Sequence, residues 1–195
     1  MIMNKFTALI LGIIICLLSC DGREKVKRKP IETLKEKNMI ESFSTRESYY
    51  PKTYSEVKTD TILSNGYTVK VNTFTDMTSS FLKQFKHDAI NYKYHYRDFK
   101  AEIVASHNSI IFNDVIDKDY ILKHDKSVAY FLKSSILKSV WVNQEQTVKQ
   151  DKLVVNILFT QPNSNTNKMF ELVIEPNGQY KLINISDLNQ NYLTA

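Results

Sequence analysis

Asp60-Thr61-Ile62-Leu63-Ser64-Asn65-Gly66-Tyr67-Thr68-Val69-Lys70-Val71-Asn72 decides the fold class. Tyr67, Val69 and Val71 alternate with polar residues, the period of a half-buried strand, and Asp60 to Leu63 can pair back across Asn65-Gly66. Asn-Gly is the dipeptide favoured in a two-residue type I′ hairpin turn, where both central residues need positive φ. The pattern recurs at Asn177-Gly178, between the alternating Phe170, Leu172 and Ile174 and the return run Tyr180 to Ile185. These are the only glycines after Gly22.

Between the hairpins the chain offers more strands than helices. Phe99, Ala101, Ile103 and Ala105 share one strand face, Ser106-His107-Asn108-Ser109 is a turn, and Ile110 to Ile116 runs back. Leu153 to Phe159 is apolar on both faces and predicts a central, doubly covered strand, with Ser139 to Glu145 as its hairpin partner and Trp141 in the core. Helical spacing appears at Met77, Phe81, Leu82 and Phe85 behind Asp76, and at Val128, Phe131, Leu132, Ser135 and Ile136 behind Asp125 or Ser127. The expectation is a single α+β domain over 54–195, mainly antiparallel, of about seven strands and two short helices.

The amino terminus carries the address. Lys5 precedes the uncharged run Phe6 to Leu18, which as a helix at ~1.5 Å per residue spans roughly 20 Å against a hydrocarbon core of about 30 Å. That is short for a membrane span and suits a secretory signal over 1–19. Leu17-Leu18-Ser19-Cys20 resembles the bacterial lipobox, which implies cleavage before Cys20, diacylglycerol on its thiol and an acyl chain on the new amino terminus. Several chains at about 0.8 kcal/mol per buried methylene hold a protein on a bilayer for its lifetime. Cys16 leaves with the signal, so the mature body has no thiol for a disulfide, a metal or a nucleophile.

Residues 20–53 read as a charged tether, with a short helix expected from Ile31, Leu34, Ile40 and Phe43 behind Pro30. Nine Lys/Arg stand against six Asp/Glu from Asp21 to Lys52, and sixteen against fifteen beyond, so the basic excess lies beside the anchor. A body so nearly neutral argues against nucleic-acid binding, while Lys25, Lys27, Arg28 and Lys29 suit anionic headgroups.

Catalytic motifs are sparse. His87, His95, His107 and His124 form no metal-ligand spacing, and there is no Gly-x-Ser-x-Gly elbow or phosphate loop. Asp114, Asp117, Asp119 and Asp125 could be a carboxylate site for a small envelope hydrolase, or turn and helix-cap residues. In Tyr92-Lys93-Tyr94-His95-Tyr96-Arg97 a strand puts three tyrosines on one face and three basic or titratable groups on the other. Tyr92, Tyr94 and Tyr96 are candidate ligand-stacking residues, the bland reading being that they pack half-buried against the sheet.

Behind the lipobox, the order Asn65-Gly66-Tyr67, Tyr96-Arg97-Asp98-Phe99-Lys-Ala-Glu-Ile103, Ile111-Phe112 and Ser139-Val-Trp141 resembles a family of uncharacterised Bacteroidetes lipoproteins carrying a domain of unknown function, over roughly Asp60 to Ile185. The resemblance implies a compact, mostly β, envelope-anchored module and brings no activity or site residue. In that group Asp-Thr-aliphatic resembles an O-glycan acceptor, which makes Thr61 a candidate against a plain strand start. The chain is therefore read as a non-catalytic binding or assembly module of the cell envelope, without cofactor. Its partners are the membrane, through the lipids on Cys20, and an envelope protein or glycan. The outer membrane is expected over the inner, although Asp21 resembles an inner-membrane retention signal of enteric bacteria. The rival readings are the small hydrolase using Asp114, Asp117 and Asp119, and a structural or inhibitor-type interaction protein.

Overall fold

The computed structural model describes residues 29–40, 44–87 and 90–186. Cys20, the signal segment, tether residues 21–28 and Phe43 lie outside the described residues. Contacts divide the chain into two units. The smaller has described residues 29–40, 44–46 and 90–91, the larger 47–87 and 92–186. The smaller contains α1 (Pro30–Glu36), the short tether helix, which has Pro at its start and buries no residue.

The described residues form an α+β fold of nine strands in two sheets with four short helices, and the β2–β3 and β4–β5 pairs and the whole second sheet are antiparallel. The first sheet runs β1 (Thr45–Tyr50), β4 (Ile90–His107), β3 (Thr68–His87), β2 (Glu56–Ile62), and β5 (Ser109–Ile116) also pairs with β4. β4 is long enough to take two partners besides β3: Ala101–His107 takes β5, while the tyrosine-bearing part meets β1 through Glu47, Tyr49 and Tyr50. The second sheet runs β6 (Ile136–Val142), β7 (Leu153–Thr160), β8 (Asn167–Ile174), β9 (Tyr180–Asn184). α2 (Lys118–His124), a 3-10 turn (Lys126–Val128) and α3 (Ala129–Leu132) connect β5 to β6, and α4 (Gln144–Gln150) connects β6 to β7.

One apolar cluster in the larger unit joins both sheets. Val69, Val71 and Ile103 enter it from the first, Ile157, Phe159 and Phe170 from the second, and Ile121 and Leu132 from the helices. Each such side chain contributes roughly 1.5–3 kcal/mol by leaving water, so the core holds the body without a disulfide. β7 is central and buried from Leu153 to Ile157, as its two-faced apolarity predicts.

The structure corrects several sequence expectations. Neither Asn-Gly hairpin is the two-residue type I′ turn. Gly66 N–H donates to Leu63 O at 3.0 Å, Leu63 N–H to Tyr67 O at 2.8 Å, and Gly66 has φ +88 while Asn65 keeps negative φ. Gly178 repeats this with Glu175 and Gln179, at φ +85. This is the three-residue loop that ends on a left-handed glycine, and at the second site Pro176 has no N–H with which to close a two-residue turn against Gln179.

Met77 to Phe85 is strand, part of β3, and not helix. Residues four apart share a face in either conformation, so Met77, Phe81 and Phe85 could not discriminate. Leu82 could: a helix would set it on the face of Phe81 and Phe85, whereas in β3 it falls on the opposite one. Asp76 does not cap a helix but accepts from Thr78 N at 2.9 Å and Thr78 Oγ1 at 2.7 Å within the strand. The stretch Val128 to Ile136 is likewise divided. Asp125 caps the 3-10 turn through Ser127 N, α3 stops at Leu132, and Ile136 opens β6. Trp141 lies opposite Asn156 and is 38% exposed, out of the core. The unforeseen α4 starts at Asn143, which accepts from Gln146 N, and ends at Asp151 with φ +51.

Candidate functional site: an aromatic cleft beside a charged one

Alternation along β4 puts Tyr92, Tyr94 and Tyr96 on one face, and rings from β3 and β1 join them. Phe85 stacks on Tyr92 at 5.1 Å between centroids and 8° between planes, and meets Tyr94 edge-on. Phe81 stacks on Tyr96 at 5.3 Å and 23°. Tyr50 of β1 stacks on Tyr96 at 5.7 Å and meets Tyr94 at 75°. Tyr96 is buried, whereas Tyr92 and Tyr94 are half-buried. Next to these rings is a cleft of about 450 Å³ lined by Tyr50, Pro51, Tyr94, Tyr96, Phe99, Ile136, Pro162 and Asn163. Asn163 stands in the β7–β8 connection at φ +61, and its side-chain amide donates to the Tyr96 hydroxyl.

The sequence reading reached Tyr92, Tyr94 and Tyr96 but missed Tyr50, placed in the tether, and Phe81 and Phe85, placed in a helix. The signal for the first was Ser48-Tyr49-Tyr50-Pro51, a β-favouring pair ended by proline. On the other face of β4, His95 Nε2 is 2.6 Å from Glu47 Oε1 and its ring stacks on Tyr49 at 4.4 Å. The Arg97 guanidinium lies 4.8 Å from the Tyr49 centroid. His95 and Arg97 thus meet β1.

The aspartates divide. Asp117 and Asp119 line a second cleft, of about 370 Å³, with Asp76, Asp98, Lys100 and Lys118. Asp114 is not among its lining residues and accepts from Val115 N–H at 2.8 Å. Asp117 caps α2 through Tyr120 N, and Asp98 pairs with Lys118 and accepts from Ser79 Oγ. Hydrogen bonds from Thr78, then Lys100 at 3.0 Å, lower the Asp76 carboxyl to about 2. A carboxyl so depressed is ionised near neutrality and cannot act as a proton donor there. The cleft is a lattice of ion pairs and caps more than an acid and base set apart in pKa.

Thr61, on the edge strand β2, pairs with Val69 and is half-buried. Among the described residues no group of three or more His, Cys, Asp or Glu could hold a metal ion, and no helix is long and apolar enough to cross a membrane. No family model matches the chain, and no curated protein matches it.

Proposed function

We propose that the chain is a lipoprotein anchored to the bacterial outer membrane through Cys20, and that its folded body is a non-catalytic binding module, with the aromatic cleft as its ligand site. The observation that supports this reading most is the continuous set of rings from Tyr92 to Tyr50, which borders an open cleft instead of being consumed in the core. Partly exposed aromatics around a concavity are the usual stuff of recognition, since they bring large contact area at small entropic cost. The commitment of the charged cleft to lysine pairs and helix caps favours binding over hydrolysis. The motif likeness to Bacteroidetes lipoproteins points the same way. The anchor and tether then hold the module at the envelope, where a glycan or a protein is within reach.

Two measurements test it. Mass spectrometry of the native amino-terminal peptide is expected to find diacylglycerol on the Cys20 sulfur, and Cys20→Ser to move the protein from membrane to soluble fraction. The full chain is expected to be retained on isolated envelope material and Tyr94→Ala, with unchanged melting, to lose that retention. A bare sulfur removes the anchor, and retention indifferent to Tyr94 removes the site.

A further inference from the structure

We propose that the aromatic cleft takes a neutral pyranose glycan, with one sugar ring seated in the corner between Tyr50 and Tyr94. This rests on the binding reading above and narrows it to a ligand class.

The corner is built by three rings. Tyr50 and Tyr94 stand 75° apart with centroids at 5.3 Å, and Tyr50 lies 26° from the plane of Tyr96. Tyr96 continues the column to Phe81, whose ring has the Lys118 ammonium 5.3 Å from its centroid. That end of the column is closed by a cation held on Asp98. The other end, Tyr50, is 42% exposed. A pyranose offers the matching shape: a flat C–H face for the ring and an equatorial fringe of hydroxyls for the phenols.

The chemistry of the walls selects for a neutral, hydroxyl-rich guest. None of the eight lining residues is charged, so an anion or a cation would lose water there without an opposite charge to offset it. The polar groups are phenol hydroxyls and the Asn163 amide, which can both donate and accept, as sugar hydroxyls do. Asn163 is fixed in place by its left-handed backbone and its bond to Tyr96, so little ordering remains to be done on binding. A peptide fits less well. Extended peptides are held by main-chain hydrogen bonds at an open sheet edge; β4 is paired on both sides, and although Tyr50 and Ile136 belong to the edge strands β1 and β6, Pro51 and Pro162 bring no N–H to the rim.

The test is titration of the full chain in detergent micelles, followed by NMR and calorimetry, with three probes: neutral β-linked gluco-oligosaccharides, their sulfated counterparts and a proline-rich peptide. The neutral oligosaccharide is expected to bind, and the sulfated one to bind several-fold more weakly. Tyr50→Ala is expected to weaken the neutral ligand at least about tenfold, the weight of one aromatic anchor. Tyr50→Phe keeps most of the affinity, Asn163→Ala loses several-fold, and Tyr130→Ala, at a fully open site elsewhere, changes nothing. An unchanged melting midpoint for each variant separates lost contact from lost fold. Binding of the peptide alone, equal binding of sulfated and neutral sugar, or no neutral sugar bound overturns the ligand class. If envelope retention still depends on Tyr94 in that case, the binding reading survives; if it does not, both fall.

Discussion

Lys100 Nζ lies 3.0 Å from Asp76 Oδ2, and the same carboxylate takes two hydrogen bonds from Thr78. Its folded pKa, about 2, is below the ordinary carboxyl value of 3.8. Stability from this carboxylate is therefore present in full above the unfolded value and is lost as pH falls through the folded one. Taken whole the shift is worth roughly 2 kcal/mol, and solvent screening at the partly exposed lysine reduces it to about 1 kcal/mol. Asp76→Asn is expected to lower unfolding stability by about that amount at neutral pH, and by progressively less as pH falls toward the folded pKa. Urea melts across that range measure it; a constant difference would mean that the carboxylate charge is not the source.

The two hairpin glycines are in the same conformation but in different surroundings. A Cβ at Gly66 would meet the edge of the His107 ring at 3.5 Å, an ordinary contact, whereas at Gly178 it would meet the Ile111 carbonyl oxygen at 3.1 Å. Gly66→Ala is expected to cost about 1 kcal/mol for left-handed backbone alone. Gly178→Ala must also displace backbone, so its cost is larger. Chemical denaturation of both variants should rank them in that order, and equal costs would show that Ile111 yields freely.

These glycines also show what the sequence could tell and what it could not. Asn65-Gly66 and Asn177-Gly178 located both hairpins, because positive φ is a local demand that few residues meet. They could not say which loop would form, since that depends on Pro176 and on strand twist. β7 was legible because Val154, Val155 and Ile157 leave no polar face. The distal half of β3 was not, because Met77, Phe81 and Phe85 fit either period until β4 supplies Tyr92 and Tyr96 as partners. For the same reason the rings on β4 were visible as a row, while Tyr50, brought in by a strand some forty residues earlier, belongs to the site only through tertiary pairing.

Asn143 holds the first turn of α4, accepting from Gln146 N at 3.1 Å, and Thr147 of that helix accepts from Val154 N on β7 at 3.0 Å. Asn143→Ala removes the cap, with an expected cost of about 1 kcal/mol. Thr147→Val costs more, because it leaves the buried Val154 N–H without its acceptor and removes the Thr147 hydroxyl bond to Asn143 O. Thermal melts decide, and a neutral Thr147→Val would mean that water replaces the hydroxyl.

Tyr49 is the clamp of β1: it stacks on His95 and sits under Arg97, while its neighbour Tyr50 faces the cleft from the opposite side of the strand. An aromatic pair and a partly exposed cation–π contact together contribute on the order of 1–2 kcal/mol. Glu47, half exposed against His95, adds less than about 1 kcal/mol by comparison. Tyr49→Ala should therefore loosen β1 selectively. In hydrogen exchange the Glu47–Tyr50 amides are expected to lose protection while those of β7 and β8, deep in the core, keep theirs. Ligand affinity should fall with it, since a frayed β1 withdraws Tyr50 from the cleft although residue 49 touches no ligand itself. Glu47→Gln should change protection little. If exchange accelerates equally in β7, the strand is integral to the core and the clamp is no local device.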